Sequence, residues 1–139
     1  MKNAFLSKQI KFRGKLKIKK NGLDKSVHLK VILMNEQLEK AIQIIIRVAN
    51  PDKIILFGSF PRGDYNQNSD YDICIIKKGV AHKRKLAQMI YKSLYGISAP
   101  IDLIVETPEN FAKLKDNPYF IYKTIVEEGT LLYEKQKIS

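Results

Sequence analysis

Three short runs rich in isoleucine, Lys53-Ile-Ile-Leu-Phe57, Tyr71-Asp-Ile-Cys-Ile-Ile-Lys77 and Ile101-Asp-Leu-Ile-Val-Glu106, constrain this chain more than anything else in it. Each is too short for a stable helix and is built from residues that suit a pleated surface, so each predicts a β-strand. The second is apolar on both faces beyond Asp72, which predicts a central strand. Helical spacing surrounds them. Leu38, Ala41, Ile42, Ile45, Val48 and Ala49 recur every three or four residues, predicting a helix from Asn35 as N-cap to the stop at Asn50-Pro51. A second helix is predicted over about 81–95, with Leu86, Met89, Ile90 and Leu94 facing inward and Gly96 at its end. Thr107-Pro108-Glu109 opens a third, Asn117-Pro118 repeats that signal, Gly129 closes the last helix, and Thr130 to Glu134 reads as a short final strand. The order predicts an α/β (α+β) domain: a small mixed β-sheet with helices packed on it.

Charge divides the chain at Met34. Among 139 residues there are 25 Lys+Arg and 14 Asp+Glu, a formal charge of +11, but the excess is concentrated. Residues 1–33 carry ten basic residues and one acid, while residues 34–139 carry 15 and 13. The expected organisation is therefore a basic leader, 1–33, before a nearly neutral domain, 34–139. Alternating residues on both sides of Asn21-Gly22, among them Val27, Leu29 and Val31, admit a cationic β-hairpin. A mobile basic arm, or sequence upstream of a natural start at Met34, fits the same residues. The single Cys74 suits a reducing, cytoplasmic location, and no apolar run is long enough to span a bilayer. No membrane association is expected.

Three features converge in the neutral domain. Gly58-Ser59 ends the first strand before a polar loop, residues 60–69, in which Pro61 suits a first helical position. A glycine there lets backbone amides approach a ligand closely, and amides at a helix start attract phosphate. Asp70 and Asp72 open the central strand; residues i and i+2 of a strand share a face, so both carboxylates project together. Side by side they repel unless a cation sits between them, and magnesium accepts such oxygens alongside substrate phosphates. Asp102, set inside an apolar strand, reaches the same place if its strand lies beside Tyr71–Lys77. Three carboxylates there would hold two divalent ions roughly 3.5–4 Å apart, as used for in-line attack at phosphorus.

The segment Gly58-Ser59, ten residues, Asp70-Tyr71-Asp72 resembles the signature of the DNA polymerase β-type nucleotidyltransferase superfamily. Arg62-Gly63 and Ser69 resemble its small members, although Pro61 stands where these commonly have alanine. The resemblance covers residues 34–139 and implies the fold of that superfamily. It implies that Gly58 and Ser59 hold the triphosphate of ATP, that Asp70 and Asp72 bind Mg2+, and that Asp102 completes the site and polarises the incoming hydroxyl. Arg62 either touches phosphate or pins its loop, for instance to Asp64. Without the extra domains of the larger members, the chain looks like a minimal nucleotidyltransferase of the kind paired with a HEPN-type toxin ribonuclease. In such pairs the enzyme acts as an antitoxin, transferring AMP from ATP to a tyrosine of the toxin, a separate chain. The family also includes antitoxins that act by binding alone. Transfer to a small molecule or RNA is a further alternative, with residues 1–33 offering nucleic acid its affinity, although RNA is not the favoured partner.

Other residues read more simply. His28 and His82 lack metal-ligand spacing. Cys74 suits buried filling. Lys77, Lys78, Lys83, Arg84 and Lys85 suit a solvated helix start or a surface for RNA or an acidic partner, with Arg84 placed unfavourably near a helix N-terminus. Tyr119, Phe120 and Tyr122 belong either to the core or to a partner-facing surface.

Overall fold

A computed structural model of the chain describes residues 25–59 and 70–136. The described elements are α1 (Lys25–Ala49), β1 (Lys53–Phe57), β2 (Tyr71–Ile76), α2 (Lys83–Ser93), β3 (Ile101–Glu106), α3 (Pro108–Leu114), α4 (Ile121–Glu128) and β4 (Thr130–Glu134). The four strands form one mixed sheet in the order β3-β2-β1-β4. The pairs β1/β2 and β1/β4 are antiparallel and β2/β3 is parallel, with α2 making the crossover that a parallel pair needs. The expected α/β architecture and the central place of β2 are both observed.

Strand alternation gives the sheet two faces, each with its own core. On one, Ile54, Leu56, Ile73, Ile75 and Val105 pack against Leu38, Ala41, Ile42 and Ile45 of α1 and Ile90 of α2. On the other, Phe57, Cys74 and Ile76 pack with Ile125 and Tyr122 of α4 and Phe111 of α3. Burying such aliphatic chains contributes roughly 1.5–3 kcal/mol each before chain entropy is subtracted. Burial also pushes the Cys74 thiol up to about 12, with the Glu106 carboxylate adding to the rise, so Cys74 packs as apolar filling.

Several ends follow local chemistry. Asn50 takes the left-handed conformation (φ 46°) just past α1, and its N–H donates to the Ile46 carbonyl at 3.0 Å. The Thr107 side chain accepts from the Asn110 N–H at 3.3 Å, capping α3 with Pro108 in the first turn. Four expectations need correction. The first helix begins at Lys25 and runs unbroken through Met34, so Asn35 lies inside it and is not its N-cap. Val27, Leu29 and Val31 are helical, which removes the second strand of the hairpin; residues 1–24 lie outside the described residues. Asn117 and Pro118 precede α4 in a turn, where Asn117 Oδ1 accepts from the Tyr119 N–H at 2.9 Å, and the helix starts at Ile121. Ile90 of α2 and Leu94 just past its end are buried as expected, but Met89 is exposed.

Among the described residues, no helix is long and apolar enough to cross a membrane.

Candidate active site

Helices α3 and α4 pack on the second face of the sheet over Cys74, Ile76 and Ile104, in one core with Phe57, which pairs with Asp72. Asp72 and Asp102 belong to the same face by alternation and stand at the end where β2 and β3 begin. They are register partners across the parallel pair, which places their Cα atoms on adjacent strands about 4.8 Å apart. Asp72 is half-buried; Asp102 and Asp70 are exposed. The Tyr71 N–H donates to the Pro100 carbonyl at 2.9 Å, extending the ladder one step and fixing the chain immediately after Asp70.

Gly58 completes this end. In the β1/β2 register Phe57 faces Asp72, so the next residue turns directly beside the Asp72 carboxylate. Gly58 has φ +82°, and a Cβ built on it would overlap the Asp72 Oδ2 atom and stand 3.1 Å from its Cγ. Left-handed backbone and lack of space both exclude a side chain. Ser59 follows, where the chain enters helical conformation. The strand-end Gly-Ser turn and the acid of the central strand are thus in direct juxtaposition. Arg62, Pro61 and the rest of the loop 60–69 lie outside the described residues.

The expected closure of Asp70, Asp72 and Asp102 into one three-carboxylate group is not observed: among the described residues, no three His, Cys, Asp or Glu side chains form a group able to hold a metal ion. The sheet brings Asp72 and Asp102 into register, whereas Asp70 precedes the strand and is exposed. The donor set still fits a hard divalent cation such as Mg2+, which takes one or two carboxylates and completes its shell with water and substrate phosphates. Two aspartates on adjacent strands repel, and the bare Cα of Gly58 leaves the Asp72 oxygens room at the sheet's end.

Glu106 was missed by pattern reading, which took β3 for a strand notable only for Asp102. It lies on the same face as Asp102, four residues along β3, and is 1% exposed. Its carboxylate accepts hydrogen bonds from Lys83 Nζ (3.0 Å), the Thr107 N–H (2.9 Å), Asn110 Nδ2 (2.8 Å) and Tyr122 Oη (2.7 Å). Burial alone would raise its pKa; the four donors outweigh that and hold the carboxyl below its ordinary value. The same contact, with burial as the larger cause, pushes the Tyr122 hydroxyl above the ordinary tyrosine range. The one local hint was the parity that Glu106 shares with Asp102 on an apolar strand. Its partners on α2, α3 and α4 are dispersed in sequence.

The polymerase β nucleotidyltransferase family model matches residues 39–138. A candidate protein adenylyltransferase of Methanocaldococcus jannaschii is 39% identical over 106 residues, covering 72% of this chain and all of the relative. The crystal structure of a candidate nucleotidyltransferase from Sulfolobus solfataricus superposes with a TM-score of 0.56 at 22% identity, over 85% of this chain and 95% of that one. A solved toxin–antitoxin structure with AMP-PNP gives a TM-score of 0.46 at 24% identity, over 70% of this chain and 73% of that one. With its family match spanning most of the sequence and Gly58 set against Asp72 at the end of the sheet, the chain belongs to the polymerase β nucleotidyltransferase family.

Proposed function

We propose that this nucleotidyltransferase moves AMP from ATP to a tyrosine hydroxyl of a separate protein, a HEPN-type toxin ribonuclease that it thereby neutralises. The observation that carries the reading is the juxtaposition of Gly58, Asp72 and Asp102 at one end of the sheet. The M. jannaschii relative's name, a candidate protein adenylyltransferase, supports a protein acceptor.

In this reading the Gly58 amide and Ser59 hydroxyl bind and orient the triphosphate, which the glycine's lack of a side chain allows to approach closely. Asp72, with Asp70 just before the strand and Asp102 in register beside it, would hold Mg2+, which when bound would stabilise the negative charge on the phosphates. Asp102, on the neighbouring strand, accepts the proton of the incoming tyrosine hydroxyl. The hydroxyl oxygen forms a bond to the α-phosphorus, and the bond from that phosphorus to pyrophosphate breaks. Arg62 is assigned to phosphate contact or to holding the loop in place.

The test is intact-mass spectrometry of the protein encoded beside this chain, incubated with ATP, Mg2+ and the full-length enzyme. The expected result is a gain of one AMP on a tyrosine, absent with Asp72→Asn. Transfer that survives both Asp70→Asn and Asp72→Asn would overturn the assignment; protection from toxicity by the doubly substituted protein would assign neutralisation to binding alone.

A further inference from the structure

We propose that the end of the sheet farthest from Gly58 and Asp72 is a docking surface for single-stranded nucleic acid. This inference is independent of the transfer reaction. Strand polarity gathers cations there from segments far apart in sequence. Lys53 opens β1 opposite Ile76, and Lys77 and Lys78 follow β2. Lys135 follows β4, its N–H donating to the Asp52 carbonyl at 2.8 Å. The start of α2 adds Lys83 and Arg84, tied to the same end because Lys83 Nζ reaches Glu106, whose carbonyl accepts from the Lys77 N–H at 2.9 Å.

The acids at this end do not cancel that charge outward. Glu106 is turned inward onto its four donors, and Asp52 Oδ2 accepts from the Lys78 N–H at 2.7 Å. Glu109 and Glu134 are exposed, which leaves a cationic excess carried by Lys53, Lys78, Arg84 and Lys135, all exposed. Cations at the first turn of α2, which has no acidic residue, are unfavourable for the helix itself. A polyanion would relieve that repulsion.

The second component is aromatic. Tyr122, which donates to Glu106, stacks with Phe120 at 6.5 Å between ring centroids. Phe120 remains 45% exposed and its neighbour Tyr119 is 92% exposed. Phe120 therefore adjoins the cationic surface through one continuous series of contacts, Phe120, Tyr122, Glu106, Lys83, and exposed Tyr119 precedes it in the chain. Phosphates on lysine and arginine with bases stacked on aromatic rings is the arrangement that binds single strands. An acidic peptide would use the cations and leave the rings in water. A duplex would keep its bases out of reach of them.

The experiment is fluorescence anisotropy of a labelled oligouridine of about 12 nucleotides, within the usual site size, titrated with the full chain at several salt concentrations. Lys78→Ala/Arg84→Ala should weaken binding and lower the slope of log affinity against log salt by about 1.4, two single-strand phosphate contacts' worth. Tyr119→Ala should weaken binding about tenfold and leave the slope unchanged. Both changes lie on exposed side chains, so the fold is retained, and transfer of AMP to protein without RNA should persist in both variants. Binding indifferent to these substitutions would assign any RNA affinity to other basic segments and overturn the proposal. Polyglutamate competing as well as oligouridine, with Tyr119→Ala silent, would replace nucleic acid by an acidic protein and overturn it equally.

Discussion

Asp102 and Glu106 lie on the same strand and the same sheet face, about 13 Å apart by strand rise, yet they meet opposite fates. Glu106 ends under α3 and α4 with four donors around it; Asp102 stands exposed beside Asp72 at the end where β2 and β3 begin. A carboxylate surrounded by protein donors is committed to structure. Asp102, exposed and opposed in register by another carboxylate, stands where a cation can reach it. The difference between Asp102 and Glu106 is one of exposure and of the donors packed around each.

The strongest way to break this contrast is to change the end that carries Asp72. Asp72→Asn should lower nucleotidyl transfer by about 10³-fold or more, since under the proposed function it removes a ligand to the charge-stabilising cation, and far more than any loss of stability accounts for; radiolabelled AMP transfer and calorimetry read the two separately. Glu106→Ala should do the reverse. It strips four hydrogen bonds from three helices, and a loss of about 2–3 kcal/mol is expected in denaturant unfolding, discounted because Lys83 is 44% exposed. Equal loss of stability in both variants would erase the distinction.

Gly58→Ala tests whether the two requirements at that position, conformation and space, act together. Left-handed backbone alone costs about 1–2 kcal/mol, and the added methyl must displace the Asp72 carboxylate. Activity should therefore fall more than stability predicts, in a comparison of melting temperature with kcat/KM. The smallest effect is on pH. Because Glu106 has its folded pKa held below the ordinary 4.5, its contribution is fully present above that value and is lost as pH falls through the lower folded value. Acid unfolding below about pH 4.5 should be shallower in Glu106→Gln than in the parent chain.

These contrasts also show where sequence pattern ends. The strands, the Asn50 stop, the Thr107 cap and the Gly58-Ser59 turn were legible because each rests on local chemistry: periodicity, a left-handed residue, a side chain reaching three residues on. The pairing of Asp72 with Asp102 was legible as a condition, dependent on β3 lying beside β2. The start of α1 was not, because Asn35 offers a good cap and the helix nevertheless continues back to Lys25. Nor was the Glu106 clamp. Its donors come from Lys83, Thr107, Asn110 and Tyr122, and only the packing of α2, α3 and α4 around the strand end assembles them. The exposure of Tyr119 and Phe120 had the same origin, since an aromatic run at a helix start looks alike whether it faces the core or water.

The central claim is that the Gly58–Asp72 end of the sheet binds nucleotide through its aspartates. Isothermal titration of the full chain with a non-hydrolysable ATP analogue, with Mg2+ and after its removal by a chelator, tests it most directly. The account predicts binding that depends on Mg2+ and is lost in Asp72→Asn. Binding of equal strength without the metal, or in the Asp72→Asn protein, would contradict it.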